Sequence, residues 1–185
     1  MNSFLTEEIA GVDEVGKGSL FGPVFAGAAI IKKNSSEILR NAGLKDSKKL
    51  SPKKRKMLIP IIKENCLMGI GQASAREIDN FGIRLATEKA MIRALEKLPY
   101  QPKLTLIDGI LRVRGWTHKQ ETIIKGEDKY LAIAAASVYA KYTRDELITR
   151  LSRIYFQYGL ERHFGYGTRL HRENLYKYGP SNIHR

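Results

Sequence analysis

Apolar positions come first in two short runs. One starts at Ile9 and carries the adjacent acids Asp13 and Glu14; the other covers 24–31. Short continuous apolar runs bounded by glycine and proline predict buried strands. The brief connection through Gly16, Lys17, Gly18 and Gly22-Pro23 predicts antiparallel pairing, and hence a mixed sheet. A short helix is predicted over 35–41, ending at Gly43. A second starts at Ser51-Pro52, a capping side chain followed by proline at the first helical position. Pro60 is expected to kink or interrupt it. A strand is predicted over 66–75, then a helix over 81–98 whose stripe of Phe81, Leu85, Ile92 and Leu95 contains one acid, Glu88. LTLID, over 104–108, reads as a core strand ending in Asp108 and Gly109, while 113–116 and 121–125 are assigned to a hairpin or loop.

A long helix is predicted over 128–158. Leu131, Ala134, Ala135, Val138, Tyr142 and Asp145 share one face, and Ala134, Ala135, Ala136, Ser137 and Ala140 are small enough to let a sheet approach closely. Asp145 on a packing face needs a partner, and Lys141 at i−4 is the local one. A short helix over 169–178 and the tail GPSNIHR follow, rich in Tyr, Arg and His, a composition suited to stacking and phosphate contacts. Docked aromatic packing is equally compatible with it. Strands and helices alternate as in an α/β domain.

Composition changes the picture through charge. Of 185 residues, 43% are apolar and 28% charged, as in an ordinary globular protein, but 32 Lys+Arg against 19 Asp+Glu leave +13. That excess favours polyanions, nucleic acid first. The most basic stretch is KDSKKLSPKKRK, over 45–56, either a solvated helix face or a phosphate-contacting surface. No apolar run approaches the ~20 residues of a membrane span. The absence of a signal-peptide pattern and a single cysteine, Cys66, fit a reducing cytoplasm. His118, His163, His171 and His184 lack zinc-type spacing.

Candidate chemistry rests on Asp13, Glu14, Asp108 and Asp145, drawn from a first strand, a later strand end and a helix face. If they converge, they form an oxygen-only site for two Mg²⁺ or Mn²⁺ ions, suited to phosphodiester hydrolysis. Asp13 and Glu14 alternate across a regular strand, so a strand end or bulge is needed for both to reach one site. GVDEVGKG also nearly matches a nucleotide phosphate loop. It fails at Gly18, where a hydroxyl is required, and the segment that follows is strand-like rather than helical.

Taken together, GVDEVGKGSLFGPV (11–24), DSKKLSPKKR (46–55), LIDG (106–109), IAAASVYAKYTRD (133–145), GYGT (165–168) and GPSNIHR (179–185) give a chain that resembles bacterial ribonuclease HII over nearly its whole length. The resemblance implies a ribonuclease H-like fold over 1–158 with a C-terminal helical extension over 159–185. It implies an enzyme that cuts RNA–DNA hybrids and single ribonucleotides in duplex DNA, in the manner of ribonucleotide excision repair; a monomer is expected. Asp13, Glu14, Asp108 and Asp145 are then the metal-binding acids, with Asp13 and Asp145 on the departing-oxygen side and Glu14 and Asp108 beside the attacking water. Gly16, Lys17 and Gly18 are implied to read the 2′-hydroxyl and nearby phosphate, Tyr166 to stack on the sugar, and Lys48 and Lys49 to grip the backbone. Lys17 replaces the family's arginine and so acts as a point charge without a planar fork. Phe21 is similar to the sister group, ribonuclease HIII, whose extra N-terminal domain a chain of this length does not accommodate.

Overall fold

The computed structural model describes residues 8–44 and 50–185; Lys48 and Lys49 lie outside them. Its strands are β1 (Ile9–Val15), β2 (Val24–Ile31), β3 (Cys66–Ala73), β4 (Leu104–Asp108) and β5 (Gln120–Ile123), in one sheet of order β3-β2-β1-β4-β5. β1, β2 and β3 form an antiparallel meander; β4 and β5 extend the sheet in parallel on the other side of β1. The mixed sheet is therefore as the sequence predicts, but 120–123 forms no hairpin. It pairs in parallel with β4, matching Thr105 to Gln120 and Asp108 to Ile123.

Helices cover both faces. On one, α3 (Ala75–Glu96) packs over Val12, Ala26, Ala28 and Ile30. On the other, α1 (Ser36–Asn41), α2 (Pro52–Asn65) and α5 (Leu131–Ser152) pack over Ala29 and Ile31. The alternation of β2 residues between the two cores is the period of a strand buried on both faces. Gly11 and Gly27 lie beneath α5. A Cβ at either position would strike the helix backbone at Ala132, Ile133 or Ala136, so glycine below and alanine above permit the close approach predicted from composition.

Several boundaries differ from the prediction. α2 runs unbroken through Pro60: that residue is exposed, so its missing N–H leaves the Lys56 carbonyl to water, while buried Leu58, Ile59 and Ile62 hold the helix in place. β3 stops at Ala73 because Ser74 caps α3 in a reciprocal box with Glu77. Gly82 (φ 75°) then breaks the helical phase, so Phe81 is left exposed and the buried stripe becomes Ala86, Ala90, Met91, Ala94 and Leu95. The predicted helix over 128–158 is three pieces. A turn, α4 (Gly126–Lys129), precedes extended Tyr130; α5 follows; a 3-10 turn over Phe156–Tyr158 ends at left-handed Gly159. Beyond lie α6 (Leu160–His163) and α7 (Arg169–Tyr178), held to the body by a small core of Phe21, Ile148, Tyr158 and Leu160, with Leu175 and Ile183 against it. Among the described residues no helix is long and apolar enough to cross a membrane.

Candidate active site

The pairing of β1 with β2 is unbroken, from Ala10 opposite Ile30 to Val15 opposite Phe25. Asp13 and Glu14 consequently point to opposite faces, and a strand end rather than a bulge brings them together. Asp13 turns toward α5, where the Ser137 hydroxyl bonds to it. Glu14 turns toward α3, yet sits one residue from the end of β1. Both line a cavity of about 420 Å³ with Asp108, Arg55, Ser137, Lys141 and Tyr166. Asp108 enters at the carboxyl end of β4, and the backbone N–H of Gly126 donates to its Oδ1 at 2.7 Å.

Burial dominates the electrostatics. It pushes the Asp13 carboxyl up to about 7, and the nearby Glu14 and Asp108 charges push the same way, against hydrogen bonds from Ser137 and the Glu14 N–H. Asp145 does not line this cavity. Its carboxylate is held by Lys141 Nζ at 2.7 Å and Arg55 Nη1 at 3.3 Å, side chains that do line it. The local i,i+4 pair with Lys141 is realised, and the two cations that hold Asp145 line the cavity alongside the other three acids.

Gly16, Lys17 and Gly18 form the turn after β1, closed by Ser19 N–H donating to the Gly16 carbonyl at 3.2 Å. Gly16 is buried with φ 87°, and any Cβ there would collide with the Arg144 guanidinium. Lys17 and Gly18 are exposed; Lys17 Nζ lies 3.6 Å from Glu14. Tyr166 reaches the cavity because Ser19 bridges to it and Leu20 N–H donates to Gly165 O at 2.9 Å. On the other side of Glu14, a cavity of about 160 Å³ is lined by Lys17, Asp108, Arg84 and Glu88. Glu88, ambiguous in the sequence, is buried and paired with Arg84 (2.7 Å) and Arg114 (2.9 Å).

The family model described as Ribonuclease HII matches residues 10–185, nearly the whole chain. The chain belongs to the ribonuclease HII family. Ribonuclease HII of Prochlorococcus marinus (strain NATL1A) is 61% identical over 178 residues, covering 96% of this chain and 91% of that one. The ribonuclease H2 of Pyrococcus horikoshii OT3 superposes with a TM-score of 0.80 at 27% identity, covering 96% and 92%. Bst-RNase HIII, crystallised with Mn²⁺, gives 0.74 at 22%, covering 92% of this chain and 62% of that one, a likeness of fold. The chain is accordingly a ribonuclease H-type hydrolase of phosphodiester bonds, with the ribonuclease H-like fold.

For a ribonuclease HII the donor set suits a hard divalent cation, since Asp13, Glu14 and Asp108 offer only oxygen and their mutual repulsion is what a cation relieves. Among the described residues no three such side chains are arranged as a ready cage. Sequence reasoning missed Ser137, Arg55 and Arg144. It also missed Glu127, a buried acid beside Gly126 that lines a separate cavity with Arg40 and Tyr130. Arg144 is fully buried and donates to Ser19 Oγ (2.8 Å), Phe21 O (3.1 Å), Pro23 O (3.2 Å) and Phe164 O (3.0 Å). The tail, left open by the sequence between substrate contact and docked packing, turns His184 and Arg185 inward.

Proposed function

We propose that this ribonuclease HII cuts the RNA strand of RNA–DNA hybrids and single ribonucleotides embedded in duplex DNA. Water adds to the phosphorus on the 5′ side of the ribonucleotide and the bond to the preceding 3′ oxygen breaks, leaving 3′-hydroxyl and 5′-phosphate ends. The observation that carries this reading is Asp13, Glu14 and Asp108 gathered in one cavity beside the Gly16–Gly18 turn and Tyr166. Bound Mg²⁺ or Mn²⁺, two ions in the active complex, supplies Lewis acidity toward the phosphate oxygens and an activated water.

The chain's own groups hold and orient. Asp13, Glu14 and Asp108 are the metal-holding carboxylates; Ser137 aims Asp13, and the Gly126 N–H fixes one oxygen of Asp108. Lys141 and Arg55 bring positive charge to the cavity wall and Asp145 keeps them there. Backbone amides of the turn meet the 2′-hydroxyl, the group that separates RNA from DNA, while Lys17 approaches a phosphate as a point charge. The Tyr166 ring packs against the sugar. Residues 1–158 form the catalytic unit and 159–185 the substrate-side extension, working as a monomer.

The test is a duplex carrying one ribonucleotide, incubated with Mg²⁺ or Mn²⁺, with product ends mapped. Cleavage 5′ to the ribonucleotide is expected. Asp13→Asn should lower turnover about 1000-fold or more while duplex affinity stays within a few-fold. Binding without cleavage by the wild-type chain defeats the reading, and unchanged turnover of Asp13→Asn removes that residue from the centre.

A further inference from the structure

The Gly16–Gly18 turn is held from beneath by a residue far away in sequence. Arg185 Nη2 donates to the Gly16 carbonyl and Arg185 Nε to the Gly22 carbonyl, each at 2.8 Å. Its backbone N–H donates to Leu20 O at 3.1 Å, and Gly22 N–H donates to Ile183 O at 2.8 Å. One guanidinium thus clamps both glycine ends of the loop, Gly16 (φ 87°) and Gly22 (φ 76°), positions whose backbone few side chains tolerate. Arg144 fills the space under Gly16 but bonds to Ser19, Phe21, Pro23 and Phe164, leaving the Gly16 carbonyl to Arg185 and the Ser19 N–H.

A trans peptide sets its N–H opposite its C=O. Drawing the Gly16 carbonyl inward therefore turns the Lys17 N–H outward, on the exposed side of the turn where Gly18 meets open space. We propose that Arg185 is a positioning residue for ribose recognition: it fixes the orientation of the Gly16–Lys17 peptide so that a backbone donor faces the substrate's 2′-hydroxyl. The proposal rests on the reading above, in which this turn meets the ribose. Arg185 itself is half-buried beneath the turn and its guanidinium donates to backbone oxygens, so its role is support rather than contact. Burial and the nearby Arg144 charge bring it down to about 10, with Tyr166 and Asp79 opposing, so it stays protonated at neutral pH.

The experiment compares the wild-type chain with Arg185→Ala and Arg185→Lys. It measures kcat and KM on a duplex with one embedded ribonucleotide, affinity for the same duplex made wholly of DNA, and the thermal midpoint. Removing a charge-assisted hydrogen bond from the recognising peptide predicts a fall of about ten- to a hundred-fold in kcat/KM for Arg185→Ala. All-DNA affinity should stay within about two-fold, and lysine, which keeps one donor and the charge, should recover part of the loss. If Arg185→Ala does not fold, Arg185→Lys alone carries the test, with a smaller kcat/KM loss at unchanged all-DNA affinity. Unchanged kcat/KM, or ribonucleotide and all-DNA losses of equal size tracking a lowered midpoint, overturns the positioning role and leaves the nuclease reading standing. Absence of cleavage by the wild-type chain overturns both.

Discussion

A carboxylate packed among apolar groups and other carboxylates retains its proton; a neighbouring cation offsets its charge instead. Asp13 and Asp145 stand in these two situations in neighbouring cavities that share Arg55. Asp13 is pushed up to about 7 by burial and by Glu14 and Asp108, so it is the group that gains most from a divalent ion. Asp145 is already matched by Lys141 and Arg55. Replacing it with asparagine should free those two side chains without emptying the metal-holding set, and turnover should fall by about 10- to 100-fold, short of the Asp13→Asn loss. Cleavage assays of both variants on one substrate decide this. A collapse of Asp145→Asn to the Asp13→Asn level would put Asp145 among the metal-holding acids after all. The difference is not legible from spacing, because i,i+4 geometry gives Asp145 a partner but says nothing of Arg55, which arrives from 90 residues away.

Elements whose signals are local are readable. The α2 cap, the small-residue face of α5 and the strand ending in Asp108 follow from side-chain size, capping and apolar runs. The start of α5 after Tyr130 is not, because no proline or glycine marks it. Nor is β5, four residues of which none is buried and whose parallel partner gives no turn signature. Arg144 reads as an ordinary helix-surface arginine because its acceptors include Ser19 and Phe21, over 120 residues distant. The tail shows a similar long-range design. Ser181 N–H donates to His184 Nδ1 at 2.9 Å, so His184 Nε2 carries the proton and donates to His171 Nε2 at 3.2 Å. His171 Nδ1 then donates to Tyr166 O at 3.1 Å. Both rings must be neutral for this chain to exist. Burial, then the neighbouring His171, lowers His184 to about 4, and burial lowers His171 as well. Between about 4 and the ordinary 6.5 the unfolded chain therefore binds a proton that the folded one refuses. This stabilisation is complete above 6.5 and lost as pH falls toward 4. The thermal midpoint should drop roughly 2–8 °C more between pH 7 and pH 4.5 in the wild-type chain than in His184→Asn. A His184 ring titrating near 6.5 by NMR would remove the argument.

At the scale of the whole molecule, an excess of +13 must be carried by surface cations, and the fold sorts them. Arg55 is turned inward to Asp145, whereas Lys53, Lys54 and Lys56 on α2 are exposed, as are Arg169, Arg172 and Lys177 on α7. Lys53, Lys56 and Arg55 line a cavity with Asp145 and Phe164, next to the active-site cavity that Arg55 also lines. Such cations attract a duplex through its phosphates, without reading sequence or sugar, and each phosphate they neutralise releases counterions. Replacing Lys53, Lys54 and Lys56 together by alanine should flatten the dependence of log K on log salt by about 0.9 for each phosphate no longer neutralised. Hybrid and all-DNA duplexes should weaken alike, because contacts to phosphates carry no information about the sugar, and the preference for the ribonucleotide should survive. Changes at Gly16 or Gly18, which carry no charge, should do the reverse, eroding that preference while leaving the salt slope alone. A slope that α2 substitution leaves unchanged would take this helix off the binding face and shift the electrostatic grip to α7.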